Sequence, residues 1–109
     1  MLSLPSQRLL IKNVPSLRTL GIGVAYFPKY INHKLNLHSL DVVLLSFIIR
    51  GQGRHVIDDT TFEERGASLG VTHYGQRHDI LTDEQGMDII NVYLNLKVFP
   101  LFLSLIRYF

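Results

Sequence analysis

The chain has 109 residues, no cysteine, and a net charge of +2 from eleven Lys and Arg against nine Asp and Glu. That length is one domain, able to bury a core without staples, and the absence of thiols excludes disulfides, thiolate metal sites and cysteine nucleophiles. With 47% apolar and 18% charged residues the composition is that of a folded protein, and its basic residues are scattered from Arg8 to Arg107 with no two adjacent, which argues against a nucleic-acid surface.

The N-terminus MLSLPSQRLL has neither the basic start nor the long apolar core of a secretory signal. The longest apolar run, Val42 to Ile49 with Ser46 inside it, is far shorter than the ~20 residues of a membrane span. A cytoplasmic protein without a membrane partner is expected.

Residues 1–7 contain Pro5 and no periodicity, and are expected to form an N-terminal arm. Arg8 to Asn13 reads as a first strand, broken by Pro15. Thr19 to Phe27 reads as a second. Gly21 and Gly23 share one face of it, which suggests a bend or the close approach of another backbone or a ligand. No third glycine and no helix follow, so this is not a dinucleotide loop. Pro28 to Leu37 is a polar connection. Asp41 to Arg50 and Arg54 to Asp58 are β-branched-rich runs joined by Gly51-Gln52-Gly53, and together read as a hairpin.

Asp58-Asp59 is expected to make a tight turn, Thr60 to Phe62 a short return strand, and Glu63-Glu64-Arg65 an exposed charged stretch. Ser68 to His73, His78 to Thr82 and Met87 to Leu96 read as further strands. In the last of these Asp88, Ile90, Val92, Leu94 and Leu96 share one face and Ile89, Asn91, Tyr93 and Asn95 the other; period alone does not say which points inward. Val98 to Phe109 is apolar on nearly every side and is expected to pack on the barrel or on a second subunit. Short strands with turn signals at this spacing predict an all-β sandwich or small barrel.

The stretch His38 to Gly66, HSLDVVLLSFIIRGQGRHVIDDTTFEERG, resembles the first half of the cupin domain of AraC-type transcription regulators. That pattern is roughly His-x-His-Asp, an apolar strand, Gly-x-Gly-x-His-x-Ile-Asp-Gly, then a Gly opening the next strand. Tyr74-Gly75-Gln76-Arg77-His78 resembles the second cupin motif, Pro-Gly-x-x-His, and Met87 to Tyr93 resembles the strand that follows it. Residues 36–97 carry the resemblance. It implies a cupin double-stranded β-helix, a jelly-roll barrel, over residues 8–97, followed by a linker or interface segment over 98–109.

The resemblance further implies an effector-binding and dimerisation domain that works as a homodimer and senses a small polar metabolite such as a sugar. It would reach DNA only through a separate helix-turn-helix domain, which this chain does not contain. An arm over residues 1–7 would fold across the bound effector.

Metal-binding cupins take two ligands from a His-x-His pair, a carboxylate a few residues on, and a histidine from the second motif. Those positions fall here on His38, Leu40, Leu44 and His78, and leucine cannot ligate, so no metal or other cofactor is expected. The alternative is a small metal-dependent cupin enzyme of the sugar isomerase or dioxygenase type.

His38 and His78 are ligand-binding candidates by their motif positions. Strand placement adds Arg54 and Asn91 as polar groups, and Tyr26, Tyr74 and Tyr93 as aromatic faces for the C–H side of a sugar ring. His33 and His55 are expected to be surface or hydrogen-bonded histidines. No catalytic residue is assigned: there is no Gly-x-Ser-x-Gly elbow, and most of the acids, Asp58, Asp59, Glu63, Glu64, Asp83 and Glu84, fall in expected turns.

Overall fold

The computed structural model describes Leu2–Ser3 and residues 15–98; the expected strand Arg8 to Asn13, the rest of the N-terminal arm and residues 99–109 lie outside the described residues. Its elements are β1 (Leu2–Ser3), α1 (Pro15–Thr19), β2 (Ile22–Tyr30), β3 (Val43–Arg50), β4 (Gln52–Ile57), β5 (Thr60–Arg65), β6 (Ser68–Thr72), β7 (His78–Thr82) and β8 (Met87–Leu94). They form a five-stranded sheet in the order β1-β2-β8-β3-β6 and a three-stranded sheet in the order β5-β4-β7. All pairings are antiparallel except the short one of β1 with Ala25 and Tyr26 on β2.

Strand alternation decides which side chains meet. On the inner face of the large sheet, Gly23, Tyr93, Leu44 and Thr72 align across four strands, and Ala25, Asn91, Ser46 and Gly70 form the next row. Phe27, Ile89 and Ile48 follow and join the buried core with Leu17, Leu40, Val42, Ile80 and Met87. The ambiguous face of β8 is thereby resolved: Ile89, Tyr93 and Asn95 are buried. The middle inner row is made of small or polar side chains and leaves room between the sheets. On the opposite face Val24, Val92, Leu45 and Val71 align, as do Tyr26, Ile90, Phe47 and Leu69.

The structure corrects the sequence reading in four places. β3 and β4 are not a hairpin, because they belong to different sheets. Gly51, with φ of 99°, is the corner between them, and a Cβ there would lie 2.3 Å from the carbonyl oxygen of Gly86. The tight hairpin joins β4 to β5 through Asp58-Asp59, where Asp58 adopts φ of 53°.

Thr19 belongs to a one-turn helix rather than to β2. Pro15 suits a helix start, Leu17 is buried in the core, and the amides of Leu20 and Gly21 donate back to the Ser16 carbonyl at 2.8 and 3.0 Å, with Gly21 at φ of 76°. β2 in turn runs on through Pro28, which sits at a register shift between Phe27 and Tyr30, so its missing N–H costs no ladder bond.

Finally, Glu64 is not exposed. β5 continues to Arg65, and alternation turns Glu64 inward to 7% exposure.

Candidate functional site

A cavity of about 610 Å³ opens between the two sheets. The large sheet supplies Phe27, Tyr30, Leu44, Ile89, Asn91 and Tyr93; β7 supplies His78, Asp79 and Ile80; the connection from β2 to β3 supplies Asn32, Lys34, Leu35, Asn36, His38 and Leu40.

That connection has little regular structure, and hydrogen bonds to β7 hold it in place. His38 and His78 exchange backbone bonds of 3.1 and 2.8 Å. Asp79, 3% exposed, accepts from Asn32 Nδ2 at 3.1 Å and from the Asn36 amide at 2.7 Å, while its other oxygen accepts from the Ile80 amide at 2.9 Å. Asn32 Nδ2 also donates to the Ile80 carbonyl at 2.9 Å. A buried carboxylate is tolerated when its lone pairs are filled in this way.

The polar atoms of the cavity wall are unevenly satisfied. His38 Nδ1 lies 2.9 Å from the Asn36 carbonyl oxygen, which can only accept, so in its uncharged form this ring carries its proton on Nδ1 and leaves Nε2 as an acceptor. His78 Nδ1 lies 3.0 Å from His55 Nε2, and His78 Nε2 is buried without a partner. Asn91 Nδ2 donates to the Tyr93 hydroxyl at 3.1 Å, while Asn91 Oδ1 is buried without a partner. Unpartnered buried polar atoms are rare in folded proteins; Ser46 Oγ, in the same inner row as Asn91, is a third.

Burial sets the charge of these groups. The His78 pKa is pulled down to about 3, first by desolvation and then by His55 and His38. The His55 pKa falls to about 4, again from desolvation first and then His38. Glu64 Oε1 lies 3.7 Å from His55 Nδ1 and by itself would favour an imidazolium. That separation is too long for a hydrogen bond, and the ring is only 1% exposed, so desolvation prevails. Tyr93 is pushed up to about 12 by burial, against the smaller effect of the Asn91 bond. At neutral pH both buried imidazoles are therefore uncharged, and Tyr93 keeps its hydroxyl proton.

Of the sequence candidates, His38, His78, Asn91 and Tyr93 meet at this cavity. Arg54, Tyr26 and Tyr74 do not line it. Arg54 is in a shallow groove with Glu63 and Arg65. Tyr26 pairs with Ile90 on the other face of the large sheet. The Tyr74 hydroxyl accepts the Leu96 amide at 2.9 Å. Sequence reasoning missed Asp79, Asn32 and Asn36, whose roles arise from a contact across more than forty residues of sequence. It also missed Glu64 and its contact with His55; Glu64 is the one buried residue of β5, and Phe62, two residues before it, is exposed, so no period-two pattern signalled it.

The residues do not fit a cupin metal centre. The four motif positions do converge on the cavity, but Leu40 and Leu44 stand beside His38 and His78. Among the described residues no group of three or more His, Cys, Asp and Glu is placed to hold an ion. No described helix is long and apolar enough to cross a membrane.

Two packed sheets with a cavity of mixed polar and apolar lining between them form a small β-barrel. The chain belongs to the family of the AraC-like ligand binding domain, whose model matches residues 21–109. Among solved structures it is similar to the plu4264 protein from Photorhabdus luminescens, at 17% identity and a TM-score of 0.64 over 80% of this chain and 73% of that one. It is also similar to an RmlC-like cupin protein from Desulfovibrio desulfuricans, at 16% identity and a TM-score of 0.58 over 71% of this chain and 74% of that one. A Cupin 2 conserved barrel domain protein from Salinispora arenicola matches at 10% identity and a TM-score of 0.57, over 76% of this chain and 69% of that one. These likenesses show the cupin double-stranded β-helix fold. A search of curated proteins found no match.

Proposed function

We propose that this domain is the effector-sensing part of an AraC-type transcription regulator and binds a small, sugar-like metabolite in the cavity between its sheets. The observation that carries this reading is the cavity itself, whose wall sets Asn32, Asn36, His38, His78, Asn91 and Tyr93 beside the apolar Phe27, Leu44 and Ile89. A hydroxylated ligand suits such a wall: its hydroxyls can pair with the polar side chains and its C–H faces pack on the apolar ones.

The domain acts in the cytoplasm as a homodimer and reaches DNA through a separate helix-turn-helix domain. Dimerisation is supported by the apolar rows on the other face of the large sheet, where Val24, Leu69 and Val71 remain exposed. Ligand changes the output only if it binds one arrangement of the arm or linker more tightly than another.

A second reading, a metal-dependent cupin enzyme, draws on one observation. The His38 and His78 rings lie 4.7 Å apart between centroids, each with Nδ1 engaged, as second-shell partners engage metal-ligating histidines. Leu40 and Leu44 weigh against it. Titration calorimetry with neutral aldoses and polyols, repeated after chelator treatment and paired with elemental analysis, separates the two. The sensor reading expects saturable binding that the chelator does not change. Stoichiometric transition metal, with binding lost on chelation, would replace it with the enzyme.

A further inference from the structure

The connection from β2 to β3 that walls the cavity also sets its charge. Asp79 holds this segment at two points: one of its oxygens accepts from Asn32 Nδ2 at 3.1 Å and from the Asn36 amide at 2.7 Å. Lys34 stands midway between the two held residues, and its own amide donates to Asn32 Oδ1 at 3.3 Å. The backbone that bears Lys34 is therefore fixed at the cavity wall, while the residue itself is exposed.

Of the lining residues, only Lys34 and Asp79 carry a formal charge. They are not equivalent. Asp79 is 3% exposed, and N–H groups of Asn32, Asn36 and Ile80 are aimed at its two oxygens, so its charge is answered inside the wall. The Lys34 ammonium makes no ion pair or hydrogen bond with any of the described residues. The cavity thus offers an incoming molecule one reachable, unpaired charge, and it is positive.

The other polar groups within reach of a ligand lie on the same connection. His78 Nε2 and Asn91 Oδ1 are sealed in the wall. The Asn36 side chain is exposed on the lining and has no hydrogen bond among the described residues. His38, half-buried, keeps Nδ1 on the Asn36 carbonyl oxygen, and its Nε2 is not among the sealed atoms.

We infer that Lys34, with the Asn36 amide beside it in sequence, is a carboxylate subsite at the cavity rim, so that the effector is a singly charged sugar acid, a uronate or an aldonate. This rests on the cavity being the effector site.

An ammonium and an amide NH2 only donate toward a ligand carboxylate, and a carboxylate only accepts. At the exposed rim the carboxylate keeps part of its hydration, so its desolvation cost is small. The hydroxylated carbons reach inward, where His38 Nε2 can accept a hydroxyl and Phe27, Leu44 and Ile89 take the C–H face. A second negative charge would find no further Lys or Arg on the lining and would face Asp79.

The test is calorimetry at low salt with matched pairs, glucose against glucuronate and gluconate, and galactose against galacturonate. The expected result is an acid that binds about fivefold more tightly than its parent aldose, the scale of one solvent-exposed ion pair. High salt should remove that advantage. Lys34→Gln should bring the acid down to the affinity of its aldose, and Lys34→Glu should place it below. Lys29→Gln, which alters a lysine outside the lining, should leave the advantage intact.

An acid that binds no better than its aldose, or an advantage that survives Lys34→Gln, overturns the inference and leaves the sensor reading standing. Binding of neither series by the wild-type protein overturns the sugar reading and the inference with it. Should Lys34→Gln fail to fold, the wild-type comparison and its salt dependence decide alone.

Discussion

Lowering the pH from 7 to 5 should cost this domain about 4 kcal/mol of folding stability through two histidines alone. His55 and His78 titrate near 6.5 in the unfolded chain but only at about 4 and about 3 when folded. Between pH 6.5 and 4 the unfolded state therefore binds protons that the native state refuses, and stability falls as pH falls. Each ring contributes RT ln(1 + 10^(6.5 − pH)), which rises by about 2 kcal/mol between pH 7 and pH 5. Two rings give about 4 kcal/mol, a large part of the roughly 5–15 kcal/mol typical of a domain. The window isolates these groups from Asp88, whose carboxyl is held below its usual range by its hydrogen bonds to Arg50 and the Lys29 amide and loses its pairing only at lower pH. Urea unfolding at pH 7, 6 and 5, with histidine ring resonances followed over the same range, measures both sides. A loss under 1 kcal/mol, or a His55 or His78 resonance titrating near pH 6.5, would show that Glu64 stabilises a charged pair and would refute the reasoning.

Three further perturbations follow from the geometry. Asp79→Ala strands the Asn36 amide and the Asn32 side chain, and should cost about 3 kcal/mol by denaturant unfolding, with faster amide exchange at Asn36; an unchanged midpoint would show that the connection is held by other means. Gly70→Ala places a methyl 2.8 Å from His55 Nδ1 and should cost about 2 kcal/mol while separating His55 from Glu64, which a variant crystal structure would display. Arg54→Ala alters an exposed groove outside the cavity, and should change ligand affinity less than twofold and stability by under about 0.5 kcal/mol; a large loss of affinity would move the ligand site.

Much of the strand layout was legible in the sequence. The stretch from Ser68 to Leu96 sets short strand-forming runs between clear turn signals, and β7 spans His78–Thr82 as expected. The motif positions also led to two cavity residues, His38 and His78. Other features were not readable locally. Two β-branched runs around Gly51 look the same whether the chain turns back in one sheet or crosses to another; the packing of Gly51 against Gly86 decides for the corner. A five-residue helix is too short to show a 3.6-residue period, and the burial of Leu17, which anchors it, is not readable locally. Tyr26 lies one residue out of phase with Ala25 and Phe27, so a parity slip moves it to the far face. Glu64 was masked by its charged neighbours Glu63 and Arg65.

The central claim, that the cavity binds a small polar effector, is tested most directly by thermal unfolding of the wild-type domain and of Asn91→Ala against a panel of neutral aldoses and polyols. At 100 times its dissociation constant a ligand adds about 2.7 kcal/mol, which for a domain of this size raises the midpoint by roughly 10 °C. The cavity reading predicts such a rise for at least one member of the panel, and its collapse in the variant. No rise with any member, or an equal rise when Asn91 is gone, would contradict it.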